Sequence, residues 1–204
     1  MNPIQRQDAL QRVLNQVLAY AAAHPTFAVE ADSMTLPTEY DVAFEQPGFR
    51  PPAVPGGEPE VIGRHEVLIQ LGPEFPAKPP AVYWLTPVFH PNVYPNYDSP
   101  QHRENPNAAG LLCLGLLDTG WYPAYDFRDL CQTIVDIAGY RNYDIFETTG
   151  ADAAGPQLRG NFYDPNAAGW ALDHQADIEA IGGRPVIHRP PVGLTYDNVI
   201  EQLE

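Results

Sequence analysis

Apolar positions change their spacing along the chain, and the changes mark out its elements. Ile4, Leu10, Val13, Leu14, Val17, Leu18 and Ala21 recur at helical intervals up to Pro25. The chain should therefore open with one amphipathic helix, capped by Asn2 and with Pro3 in its first position. Four short extended runs follow, residues 27–31, 39–45, 64–71 and 81–85, and the Pro and Gly between them predict an antiparallel meander. Residues 46–59 hold five prolines and three glycines, which predicts an irregular loop rather than a strand. Residues 93–110 are similarly rich in Pro, Asn and polar groups. Helical spacing then returns near Asp126, with Phe127, Leu130, Cys131, Ile134, Ile137 and Ala138 on one face, so Cys131 falls on a buried stripe. A further helix is expected from Asp164-Pro165 to the paired Gly182-Gly183, and a short acidic one over 195–204. Helix, strands, loop and then helices predict an α+β domain with helices against one side of the sheet.

Composition narrows the setting. A chain of 204 residues, 44% apolar, suits one compact domain, expected over 1–183 with a tail over 184–204. The net charge of -15 opposes binding to nucleic-acid phosphates or anionic membranes, so partners should offer basic or apolar surface. No window reaches the roughly 18 apolar residues of a membrane span, and the N-terminus lacks the pattern of a secretory leader, so a cytoplasmic protein is expected. The only cysteines, Cys113 and Cys131, are too few for a disulfide framework and have no paired zinc spacing. Lys78 is the single lysine among abundant Ala, Pro, Gly and Arg, a bias that suggests a gene from a GC-rich bacterium.

The motifs that carry chemistry are consecutive. Phe75-Pro76-Ala77-Lys78-Pro79-Pro80 leads through Val82 and Leu85-Thr86-Pro87 to His90-Pro91-Asn92. Gly110-Leu111-Leu112-Cys113-Leu114 follows, and Trp121-Tyr122-Pro123-Ala124 begins eight positions after the cysteine. In order and spacing this resembles the ubiquitin-conjugating enzyme family over about residues 60–145. The resemblance implies a UBC-like fold, with an N-terminal helix, a four-stranded antiparallel meander, an active-site loop and C-terminal helices. It implies that Cys113 carries a ubiquitin-like protein as a thioester, received from an activating enzyme and passed to an amine on a target protein. A thiolate suits that task, because its ester reacts with amines yet resists water. Asn92 would donate a hydrogen bond to the thioester oxygen or hold the loop that does. Asp144, after the second helix, would orient the incoming amine, with Asp118 as an alternative. Tyr122, Pro123 and Ala124 would offer a partner surface, while His90 and Trp121 would be structural.

The sequence also departs from that pattern. Asn92 and Cys113 stand 21 positions apart, which implies an insertion over about 93–109. Gly115 replaces the usual acidic residue, Ala77 replaces an aromatic contact for RING-type ligases, and Arg6 and Arg12 are the only basic residues of the first helix. Such features resemble bacterial members encoded beside their own activating enzyme, often in phage-defence operons. Two other classes remain open at this point: a non-catalytic module that binds a ubiquitin-like protein, and a cysteine hydrolase pairing Cys113 with His90 or with His102 of the inserted loop.

Overall fold

The computed structural model describes residues 3–54, 56–113, 121–148 and 157–185; among them no helix is long and apolar enough to cross a membrane. The expected first helix is α1, Pro3–Ala23, and its buried Leu10, Val13, Leu14 and Val17 are the residues whose spacing announced it. Strands β1 (Phe27–Ala31), β2 (Glu39–Arg50), β3 (Glu60–Gln70) and β4 (Ala81–Trp84) form one antiparallel sheet in sequential order. Tyr40, Val42 and Phe44 of β2 face inward beside His65, Val67 and Ile69 of β3, the two-residue alternation of a sheet with one covered face.

That face is covered by α1 and by α3, Phe127–Ala138, whose buried residues are the six of the predicted stripe. Asp126 caps α3 by accepting the Arg128 N–H at 2.9 Å. The helices are tied by Tyr20 Oη to Gln132 Oε1 at 2.9 Å and by the Phe127 N–H to Gln16 Oε1 at 3.2 Å.

Two expectations are corrected, and one pair of strands is added to them. Residues 46–50 are strand rather than loop, because the register steps from Glu45 opposite Arg64 to Gly48 opposite Ile62, a bulge that takes Pro47 out of the ladder. The carbonyl of Gln46 released there accepts from His65 Nε2 at 2.9 Å, and a Cβ at Gly48 would lie 2.6 Å from the Ala138 carbonyl oxygen. Secondly, the helix expected from Asp164-Pro165 to Gly182-Gly183 is two, α4 (Pro165–Asp173) and α5 (Gln175–Ala180), broken at His174, whose φ of -121° is not helical. In addition, β5 (Asp144–Thr148) and β6 (Gln157–Asn161) make a separate antiparallel pair. They join α4, α5, Phe49 and Phe89 in a second apolar cluster beside the main core. Part of the inserted region is also regular, with α2 (Pro100–Glu104) and a 3-10 turn over Pro106–Ala108. The expected helix over 195–204 and the Asn2 cap lie outside the described residues.

Candidate functional site

After β4 the chain leaves the sheet, passes through α2, and returns to the same strand edge at Gly110. The Trp84 N–H donates to the Gly110 carbonyl at 2.7 Å and the Leu112 N–H to the Val82 carbonyl at 2.9 Å. On the other flank the Gly110 N–H reaches the Tyr94 carbonyl at 3.0 Å, and the Tyr94 N–H reaches the Leu111 carbonyl at 2.8 Å. Residues 110–112 are thus wedged between β4 and residues 93–94. The Cys113 N–H adds one more rung, donating to the Asn92 carbonyl at 2.7 Å. The 21-position separation therefore closes at its neck, and residues 93–109 hang from adjoining backbones.

Two residues brace this neck. Gly110 has a φ of +75°, a left-handed conformation that suits glycine, and a Cβ there would lie 2.1 Å from the Trp84 carbonyl oxygen. Asn96 Nδ2 donates to the carbonyls of Trp84 and Thr86 at 2.9 and 2.8 Å, while its Oδ1 accepts the Val88 N–H at 3.1 Å. Asn96 thereby pins the strand exit to the start of the insertion.

Cys113 is half-buried, while Asn92 is only 9% exposed and its Oδ1 accepts no hydrogen bond among the described residues. His90 is fully buried, and its Nδ1 accepts the Asn92 N–H at 3.1 Å, which assigns the ring proton to Nε2. Burial, with a smaller effect from His65, pushes the His90 pKa down to about 3, so the ring is neutral at ordinary pH. The Tyr140 ring lies edge-to-face with it at 4.4 Å, and the Tyr140 hydroxyl donates to the Phe89 carbonyl. Tyr140 has a φ of 55°, so the turn after α3 carries backbone strain to place this aromatic group under the His90 turn.

Downstream of the cysteine, Trp121 Nε1 donates to the Pro76 carbonyl at 2.9 Å, and the ring packs on Phe75 and Phe127. Trp121 therefore ties the start of its own Trp-Tyr-Pro-Ala motif to the proline-rich turn. Both arginines of α1 serve the same region: Arg6 Nη1 donates to the carbonyls of Gly72, Pro73 and Phe75, and Arg12 Nη2 to that of Pro123 at 2.5 Å. Tyr122 is 53% exposed, and Pro123 and Ala124 are also exposed, so this surface is open to solvent.

The remaining expected residues are more scattered. Asp144 begins β5, but its side chain lies outside the described residues, as do Asp118 and Gly115 altogether. His102 turns into its own loop, its Nδ1 3.3 Å from the Pro95 carbonyl oxygen. Cys131 is inaccessible in the core, and burial, followed by the charge of Asp126, raises its thiol pKa to about 12. Sequence reasoning passed over Asn96, Tyr97 and the side chain of Asp164. The last had a legible signal, since Asp before Pro at a helix start is a capping pattern. The carboxylate indeed accepts the Asn166 and Ala167 N–H groups at 3.0 and 3.1 Å.

A half-exposed cysteine and a buried asparagine thus stand on adjoining backbones at the edge of a four-stranded meander backed by helices. Residues 61–144, less than half of the chain, match the ubiquitin-conjugating enzyme family model. The chain is 32% identical over 80 residues to ubiquitin-conjugating enzyme E2 2 of Debaryomyces hansenii, covering 39% of this chain and 40% of that protein. With E2 2 of Saccharomyces cerevisiae it is 34% identical over 80 residues, 39% of each chain. It thus spans about two fifths of the length of these curated relatives. Human ubiquitin-conjugating enzyme E2 G1 superposes with a TM-score of 0.40 at 16% identity, over 62% of this chain and 90% of that one. The α+β order expected from the sequence, a first helix, a four-stranded antiparallel meander and later helices, is observed, with β5 and β6 added between α3 and α4.

Proposed function

We propose that this protein is a transferase that accepts a ubiquitin-like protein from an activating enzyme as a thioester on Cys113 and passes it to an amine of a target protein. The observation that supports the reading is the 2.7 Å rung from the Cys113 N–H to the Asn92 carbonyl, which joins the backbones of a half-exposed cysteine and a buried asparagine across the 21-position separation.

In the first step the Cys113 thiolate attacks the activating enzyme's thioester carbonyl, and that enzyme's own thiolate leaves. In the second, a target amine attacks the new thioester, the C–N bond forms as the C–S bond breaks, the amine loses a proton and the thiol of Cys113 is restored. Neither step changes oxidation state or calls for a cofactor in this chain. Negative charge gathers on the thioester oxygen during aminolysis, where the Asn92 amide donates a hydrogen bond or holds the loop that does. Asp144 is the group that orients the amine, and the exposed Tyr122, Pro123 and Ala124 form the partner face. The neutral His90 is structural, because a ring with its pKa near 3 cannot take up the amine's proton at ordinary pH. The composition, the lone Lys78 and the Ala77 substitution favour a bacterial setting with a dedicated partner set, including phage defence.

Discharge of the loaded protein tests the chemistry. Once Cys113 is charged, Asn92→Ala should slow transfer to free lysine by about a hundredfold or more while leaving the thioester intact, the usual size of effect for losing an oxyanion donor. Rapid release of the free acid with no lysine adduct would replace this reading with hydrolysis.

A further inference from the structure

The geometry points to Asp164 and Tyr97 as positioning residues for Asn92, joined into a latch through which the inserted loop and the C-terminal helices orient the amide beside Cys113. The inference rests on the thioester-carrier reading above, yet Asp164 lies outside residues 61–144, the stretch that matches the family.

Asn92 is held from both sides. In the preceding peptide, the Pro91 carbonyl accepts the Tyr163 and Asp164 N–H groups at 2.8 and 3.1 Å, and the Asn92 N–H donates to His90 Nδ1 at 3.1 Å. In the following peptide, the Asn92 carbonyl accepts the Cys113 N–H at 2.7 Å, and the Val93 N–H donates to the His90 carbonyl at 3.1 Å. All four polar groups flanking the Asn92 Cα are engaged, so the direction of its side chain is set by where their partners sit.

Three of those partnerships lie within the turn and the rung to Cys113. The fourth comes from residues 163–164, which stay in place because Asp164 is itself anchored. Its Oδ1 caps α4 through the Asn166 and Ala167 N–H groups, and its Oδ2 accepts the Tyr97 hydroxyl at 2.6 Å. The carboxylate is fully buried, so its desolvation has to be offset by these donors, and the phenol is the one supplied by the insertion. Tyr97 packs its ring on Phe89, which precedes His90. One side chain thus couples α4, the insertion and the turn carrying Asn92. Neither residue is assigned any contact with the reacting atoms; both act through the Pro91 carbonyl.

Three variants of the full chain separate the parts. Tyr97→Phe removes the phenol alone, Asp164→Asn keeps an acceptor for the cap, and Asp164→Ala removes everything. Amide hydrogen exchange followed by NMR should show the Asn92 and Cys113 amides exchanging about fivefold faster or more in Asp164→Ala and Tyr97→Phe, the equivalent of one hydrogen bond. Asp164→Asn should restore protection, and the Ile134 amide in α3 should not change. Faster exchange confined to α4, with Asn92 and Cys113 as in the parent, would overturn the latch.

A second readout needs no partner protein: Cys113 is acetylated with a small-molecule acetyl thioester, and discharge to free lysine is followed by intact mass. Asp164→Ala should slow discharge about fivefold, and should slow it no further when combined with Asn92→Ala. Additive slowing in the double variant would overturn the proposal. Discharge unaffected by Asn92→Ala alone would instead contradict the chemistry assigned to Asn92, and the exchange pattern would still decide the latch.

Discussion

Replacing Gly110 with alanine tests the wedge on which the candidate site hangs. A Cβ at this position would meet the Trp84 carbonyl oxygen at 2.1 Å and the Trp84 carbonyl carbon and nitrogen at 3.0 Å. These are backbone atoms of a paired strand, and the carbonyl is further held by Asn96 Nδ2 at 2.9 Å, so it is residue 110 that must retreat. Reaching ordinary contact near 3.4 Å requires a shift of more than an ångström, which breaks the bonds from the Trp84 N–H to Gly110 and from the Gly110 N–H to Tyr94. Each such bond contributes about 1 kcal/mol net. The φ of +75° adds about 1–2 kcal/mol for an L-residue. The sum, about 3–4 kcal/mol, is a large part of the roughly 5–15 kcal/mol that holds a typical domain together. Urea unfolding followed by tryptophan fluorescence reads the effect, and with a slope of about 2 kcal/mol/M the midpoint should fall by about 1.5–2 M. Gly63→Ala is the control, because a Cβ there meets nothing within 4 Å and should shift stability by no more than about 0.5 kcal/mol. Equal midpoints for the two variants would refute the wedge.

Other consequences are independent of that one. His65 and His90 are buried neutral, with pKa values lowered to about 4 and about 3, so the unfolded chain binds more protons as pH falls below the ordinary histidine value. Their contribution is complete above about pH 6.5 and shrinks toward the folded values, by about 2 kcal/mol per histidine at about pH 5; urea midpoints that do not move over this range would contradict it. Iodoacetamide at mildly alkaline pH should modify Cys113 in the native protein and spare Cys131, whose thiol is buried with its pKa near 12, while both should react in denaturant. Two native adducts by intact mass would place Cys131 outside the core. Ile134→Ala, at a fully buried position on α3, should cost about 2–5 kcal/mol in the same urea assay, and a change under about 1 kcal/mol would mean the stripe is not core.

The helices α1 and α3 were legible because each carries an unbroken apolar stripe that meets one sheet face, so local spacing and tertiary packing agree. The strand over 46–50 was hidden because its Pro and Gly are the means of the bulge, and only the partner strand and His65 reveal why they are tolerated. The β5–β6 pair offers Ile145 and Leu158 as its apolar residues with described side chains, too few to announce alternation. Cys113 and Asn92 could be named from motifs, yet their adjacency could not, since it depends on the rungs from 110–113 to two separate segments. The same holds for Asn96, Tyr97 and Asp164, whose partners lie up to 67 positions away. Long-range hydrogen bonds of this kind leave no periodic trace in a sequence.

Loading is the most direct measurement of the central claim. The full chain, Cys113→Ala and Cys131→Ala would each be mixed with a neighbouring activating enzyme, its ubiquitin-like protein and ATP, and resolved on gels with and without reductant. A reductant-sensitive adduct on the parent and on Cys131→Ala, absent from Cys113→Ala, is the predicted result. No adduct on the parent protein while the activating enzyme is visibly charged, or an adduct that survives Cys113→Ala, would contradict the account.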